Sequence, residues 1–446
     1  MLFRISLLLS AALLAWLLYG TPRSQFGQLL LLFAGLFALY GFQLGLLRRQ
    51  DGTAGAGAWI RELWWSGAAL RLLACFALPA LSDDYFRFVW DGRLLAHGVN
   101  PFLRTPEQWM QSPAEAAALG LDAALYAGLN SKAYFTIYPP LLQGIFYLAV
   151  RLAPDSVYGA VLGMKACILA AELCSLWLLL RLLRRAGLPE SRLGLYALNP
   201  LVIAELCGSL HFEALMIACL LAAVWLLERR GWAASAAALA GAMAAKLLPL
   251  MVLPLLIRRI GWRKAFGYGA AAGGLLLLMF LPLYDPQLLR HLSESVGLYF
   301  RKFEFNASLY YLIRWAGYEI RGYNVIQIVG KYLAAATALG ILLLAALERK
   351  PQAADWARAM LWAFLIYLSL SAIVHPWYVT TLAALSYGTR YRFAVWWTAL
   401  LPLSYAAYQT AAYQEPLGLT ALAYGLLAGW LLAEWAGLRP LGRWLP

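Results

Sequence analysis

The chain has 446 residues, of which 63% are hydrophobic and only 13% charged, with a formal net charge of +14. Apolar runs of this length exclude a soluble fold and define a polytopic helical membrane protein. The positive charge does not mark a nucleic-acid binder. Its arginines cluster in short loops, at Arg48–Arg49, Arg181–Arg185, Arg229–Arg230, Arg258–Lys264, Glu348–Lys350, Arg390–Arg392 and Arg439–Arg443, which is the positive-inside pattern.

With those loops on the cytoplasmic side, helices are predicted at 3–20, 26–47 and 59–80. The first is read as a retained helix, because no small-x-small cleavage site precedes Thr21. The third delivers Ser82 outside, where residues 82–156 form the longest loop. Within it, 138–153 is opened by Pro139–Pro140 and is short for a span, so it reads as a re-entrant or interfacial helix. Further spans follow at 157–183, 188–209, 212–228, 264–283, 324–347, 355–374, 377–389, 391–410 and 416–436. Residues 232–257, interrupted by Lys246, Pro249 and Pro254, read as two half-helices, and a second external loop covers 284–323. No repeat or low-complexity linker divides the chain. The expectation is a single all-α integral membrane domain over 1–446, a transmembrane helical bundle of about twelve to fourteen spans.

The densest polar stretch is Ser82–Phe102, SDDYFRFVWDGRLLAHGVNPF. Ser82 can cap a helix over Asp83–His97, which Gly98 and Asn100–Pro101 then end. Asp84, Arg87, Phe88 and Asp91 share one face of it. Two readings stand side by side. In one, the acids complement the helix dipole and Arg87–Asp91 is an ordinary i,i+4 pair. Alternatively they form a functional site, since adjacent carboxylates at a bilayer boundary are costly.

Helix alternation puts this loop on one face with Tyr138–Pro140, Ser209–Glu213, 284–323, His375–Tyr378 and Tyr408–Glu415. That convergence argues for an external active site. His211 with Glu213 reads as an interfacial pair or as a substrate contact. His375 beside Trp377 and Tyr378 reads as part of an aromatic belt or of a site. Lys246 is placed to reach a lipid phosphate or to serve helix packing, and Lys165 and Glu172, seven apart, to neutralise each other. The sequon Asn306–Ala307–Ser308 reads as a structural turn. The five cysteines lie in apolar segments without metal-ligand spacing, and no P-loop or dinucleotide fingerprint occurs.

These motifs, taken together, resemble the GT-C fold glycosyltransferases, in particular bacterial polyprenyl-phosphate-mannose-dependent mannosyltransferases. The match begins at Ser82–Phe102 and continues through Tyr138–Pro140 with Gln143, and Asn199–Pro200 with Glu205. It then takes in His211 in GSLHFEAL, Lys246 with Pro249, FNASLY at Phe305–Tyr310, and HPWY at His375–Tyr378. Glu213 departs from it, standing where related sequences often carry aspartate. The resemblance implies a GT-C bundle and inverting transfer of a hexose, foremost mannose, from a polyprenyl-phosphate donor. The acceptor would be a lipid or glycan hydroxyl on the extracytoplasmic face of the inner membrane. It implies Asp84 or Asp83 as base, Asp84 being favoured because the motif sets an aspartate directly before the aromatic Tyr85.

Candidate substrate contacts are Arg87, Asp91, His97, Tyr138, His211, Glu213, Lys246, Arg301, His375 and Tyr378. A carboxylate activates the hydroxyl, and cations steady the departing phosphate. Expected partners are the lipid-linked sugar donor, the acceptor and membrane lipids, with no nucleic acid. No cofactor is predicted, since two carboxylates alone are weak evidence for a divalent cation. The competing reading is a transporter or lipid flippase using the intramembrane charges Lys165, Glu172, Glu205 and Lys246, although the two-half repeat of such proteins is absent.

Overall fold

The computed structural model describes residues 1–53, 55–348, 355–410 and 413–438, with the side chains of residues 299–301 not described. Arg349, Lys350, Arg439 and Arg443 of the basic loops therefore lie outside the described residues, as does the side chain of Arg301. Among the described residues the fold is helical throughout, and the only extended pairing is a single bridge between Phe305 and Ile373.

The chain enters through α1 (Leu2–Gly20) and α2 (Phe26–Arg48), joined by a turn that carries Arg23. At 1.5 Å per residue, 19 residues make about 29 Å, the thickness of a bilayer core. Six described helices are long and apolar enough to cross: α1, α2, Val157–Arg185, Trp262–Leu283, Ile326–Leu347 and Leu417–Trp435. A seventh is gained if Pro200–Gly208 and Glu213–Arg229, bent by 114°, count as one broken span. Exposed leucines on these helices, among them Leu8, Leu31, Leu277 and Leu347, leave apolar flanks where lipid tails belong.

This count is smaller than the sequence suggests because several expected spans are broken. The 188–209 segment is a series of short turns capped by Asn199 and Pro200, and 391–410 is Phe393–Leu400 followed by a 3-10 helix, Leu401–Tyr408. The 232–257 segment divides as expected into Trp232–Ala245 and a 3-10 stretch, Leu248–Leu256, with Lys246 extended between them. The helix Pro140–Leu152 has 13 residues, about 20 Å, and begins at Pro140.

After α3 (Ala56–Cys75) the chain turns into α4 (Asp84–Ala96). Asp83, not Ser82, is the capping residue, although the Ser82 hydroxyl still accepts from the Asp84 N–H at 3.3 Å. Gly98, at φ +75°, ends the helix as its sequence signals. α4 packs most closely on Pro140–Leu152. Gly92 allows it, since a Cβ there would fall 2.6 Å from the Phe146 carbonyl oxygen.

The buried charges are paired differently from the sequence reading. Lys165 and Glu172 do not meet. Glu172 takes Arg71 at 2.8 Å and the Tyr196 hydroxyl at 2.6 Å. Lys165 instead donates to the carbonyls of Ala74, Ala77 and Gly208, tying the end of α3 to the bent segment. The spacing of seven put them on one face, but each found a partner on another element.

Candidate active site

α4 presents the acidic doublet at its first turn, and the structure gives the two carboxylates different neighbours. Asp83 forms an ion pair with Arg23 from the α1–α2 turn, whose guanidinium also lies 4.6 Å over the Tyr408 ring. Asp84 accepts one hydrogen bond, from the Asn130 side-chain amide to Oδ1 at 2.8 Å. Its Oδ2 takes none among the described residues. Each acid has one oxygen engaged, Asp83 by a cation and Asp84 by a neutral amide.

The rest of α4 is occupied with holding itself. Arg87 donates to Asp91 at 2.8 Å and to the carbonyls of Ser131 and Tyr134 at 3.2 and 2.9 Å. Asp91 also accepts from Thr136 at 2.5 Å and from Gln143 at 3.0 Å. Both side chains are buried. They brace α4 against the 131–136 loop and the first turn of Pro140–Leu152 rather than opening onto the doublet. His97 sits at the far end of α4, about 20 Å along the axis from Asp84, with Nδ1 2.9 Å from the Arg93 carbonyl. Tyr138 packs edge-on against Phe88, with centroids 5.0 Å apart.

The second group of expected residues does assemble. The bend between Pro200–Gly208 and Glu213–Arg229 is built from Asn199 capping Leu201 and Val202, a π-turn over Ile203–Gly208, and Leu210 at φ +63°. It projects His211 against Trp377, ring centroids 3.7 Å apart and planes within 14°. The opposite partner of Trp377 is His375, at 4.3 Å and 6°. Phe305 lies 4.9 Å from His375, held there by backbone hydrogen bonds to Ala372 and Val374. Asn306 is buried in left-handed backbone with its amide on the Val374 carbonyl, which is the structural turn expected of the sequon. Glu213 pairs with Lys246, whose ammonium lies 3.9 Å from the centroid of the Tyr378 ring.

Electrostatic contact joins the two groups: Asp84 lies within range of both Glu205 and His211, and Lys246 and His211 within range of His375. Aromatic packing supplies the mechanical link, Phe88 of α4 lying 5.4 Å from Phe212 beside His211. Among the described residues no three His, Cys, Asp or Glu side chains converge as a metal-holding set.

Arg23 and Asn130 were not singled out from the sequence, whereas Tyr408 stood at the head of the expected external stretch Tyr408–Glu415. Arg23 carried a signal nonetheless. It lies in the turn that the basic-loop topology places opposite the cytoplasm, where an arginine runs against the positive-inside bias and calls for an anionic partner.

Residues 1–260, more than half of the chain and including every acid and base above except His375, match the family model described as "Alpha-(1->6)-mannopyranosyltransferase, N-terminal domain". The chain belongs to the alpha-(1→6)-mannopyranosyltransferase family. Two curated members resemble it, both named alpha-(1→6)-mannopyranosyltransferase A. The Corynebacterium glutamicum protein is 25% identical over 253 residues, 56% of this chain and 48% of that one. The Mycobacterium tuberculosis protein is 24% identical over 337 residues, 73% of this chain and 61% of that one. The chain thus spans about half to three-fifths of the length of these alpha-(1→6)-mannopyranosyltransferase relatives.

Proposed function

We propose that this protein is a membrane mannosyltransferase that moves mannose from a polyprenyl-phosphate donor to a hydroxyl of a lipid or glycan acceptor. The reaction takes place on the extracytoplasmic face of the inner membrane, with inversion at the anomeric carbon. Family membership supports the sugar. The observation that carries the mechanism is that Asp83 is paired with a cation while Asp84 is held only by a neutral amide, beside a cluster of cationic and aromatic side chains.

Asp84 takes the proton of the acceptor hydroxyl as that oxygen bonds to the anomeric carbon. The bond from that carbon to the phosphate oxygen breaks, and its electron pair leaves with the polyprenyl phosphate. Arg23, Lys246 and the His211 ring supply the positive surroundings that favour the departing charge. Three of the four intramembrane charges that a transporter would use have fixed partners, Glu172 with Arg71, Lys165 with three carbonyls and Lys246 with Glu213, which favours the enzyme.

The test is purified protein in lipid nanodiscs with an acceptor glycolipid extract and either of two labelled donors. Transfer from polyprenyl-phosphate-mannose and none from a nucleotide-linked mannose is expected. Efficient use of the nucleotide sugar alone would overturn the donor assignment.

A further inference from the structure

The least satisfied polar groups among the described residues lie at the bend that carries His211. Glu205 is fully buried, and neither carboxylate oxygen has a well-aligned hydrogen bond. Its Oε2 is 3.1 Å from His211 Nδ1, which is also 2.9 Å from the Glu205 main-chain carbonyl. Both neighbours of that nitrogen are acceptors, so Nδ1 carries a proton. Nε2, on the other side of the ring, is buried without a partner. The Ser209 hydroxyl and His375 Nδ1, in the same region, also lack one. A π-turn under Glu205 and a left-handed leucine at Leu210 hold this arrangement, and both features are enriched at functional sites. A chain does not retain so many unmet buried groups beside local strain for packing alone.

We propose that Glu205 is a positioning residue. Its carboxylate holds the Nδ1–H of His211 and favours the imidazolium, so that Nε2–H donates to the phosphate of the lipid-linked donor, without Glu205 itself touching substrate. The inference rests on the mannosyltransferase reading for its ligand. The charged and titratable groups facing His211 are Asp84 of α4, Glu205 and Glu213 flanking the bend, and His375 with Lys246 beyond Trp377. Negative charge grows on the phosphate as the glycosidic bond breaks, so the contact strengthens in the transition state and its loss appears in kcat.

The experiment compares Glu205→Gln, His211→Gln and the double variant in nanodiscs, with melting temperatures as a check on folding. We expect Glu205→Gln to lower kcat about 10- to 100-fold with donor KM changed less than about threefold, and to cost nothing further once His211 is Gln. Equal losses in both backgrounds, or no loss in either, would overturn the proposal. A second arm needs no turnover. The chain has four histidines, so in ¹⁵N-histidine-labelled protein the His211 signals are those lost in His211→Gln. They should report protons on both Nδ1 and Nε2, change in Glu205→Gln, and show the Nε2 signal moving on addition of farnesyl phosphate. A neutral ring with one proton only, or an Nε2 signal indifferent to farnesyl phosphate, would overturn the proposal. A wild type that fails to transfer mannose while passing this second arm would condemn the donor sugar but not the role of Glu205.

Discussion

At the residue scale, the acids 83 and 84 differ by one position and by almost everything around them. A helical step of 100° turns Asp83 toward the α1–α2 turn and Asp84 toward Asn130 and the bend. The Arg23–Asp83 pair is partly exposed on both sides, so it contributes little to stability, about 0–1 kcal/mol. Its value lies in holding a cation over Tyr408 at the edge of the site. Arg23→Gln should therefore leave the melting temperature within a degree or two while reducing transfer about tenfold or more. Thermal denaturation read alongside initial rates checks this; a large drop in melting temperature with specific activity intact would assign Arg23 to structure instead. The doublet and its helix could be read from the sequence, because a cap, an i,i+3,i+4,i+7 face and a terminal glycine are all local. Arg23 could not be assigned to Asp83 in the same way, since the two are 60 positions apart and only the folded chain brings them together. Lys165 and Glu172 teach the converse. Their spacing was right for a pair, yet Arg71, 101 positions from Glu172, displaced the local partner.

At the element scale, the site depends on α4 keeping its register against Pro140–Leu152 and the His211 bend. Two devices do this: the buried Arg87–Asp91–Thr136–Gln143 network and the aromatic group of Phe88, Tyr138, Phe146 and Phe212. Both need the close approach that Gly92 permits. In Gly92→Ala the new methyl would meet the Phe146 carbonyl oxygen at 2.6 Å and Val150 Cγ2 at 2.7 Å. Backbone cannot swing aside as a side chain can. The expected loss is about 1–3 kcal/mol of stability, seen as a lower melting temperature in detergent, and an unchanged temperature would show that α4 is free to shift. The sequence placed Asp91 and Arg87 among the candidate substrate contacts, with an ordinary i,i+4 brace as the alternative, and the structure shows the pair buried as a brace. Both uses place a charged pair on a helix face, and burial decides between them. The broken spans were missed for a related reason. Hydropathy measures how apolar a segment is and not whether its backbone stays α-helical, so Leu401–Tyr408 reads as span although Pro402 tightens it into a 3-10 turn.

At the scale of the whole molecule, one apolar core runs from Phe3 to Leu427, and five separate stretches of chain deliver polar side chains to one cluster. These are the α1–α2 turn, the start of α4, the bend at His211, Lys246 between its half-helices, and the segment around His375. Helix alternation in the sequence foretold most of that gathering, because alternate loops of a polytopic chain share a face whatever their spacing. Which side chains of those loops touch was settled only by packing. The claim on which the account depends is that Asp84 serves as the base and Asp83 does not, and the direct measurement is kcat for Asp84→Asn and Asp83→Asn, both in nanodiscs with polyprenyl-phosphate-mannose. The account predicts that Asp84→Asn loses about 100-fold or more, as removal of a general base does, with the melting temperature preserved, and that Asp83→Asn loses at least tenfold less. An Asp84→Asn enzyme within threefold of wild type, with Asp83→Asn inactive, would contradict it.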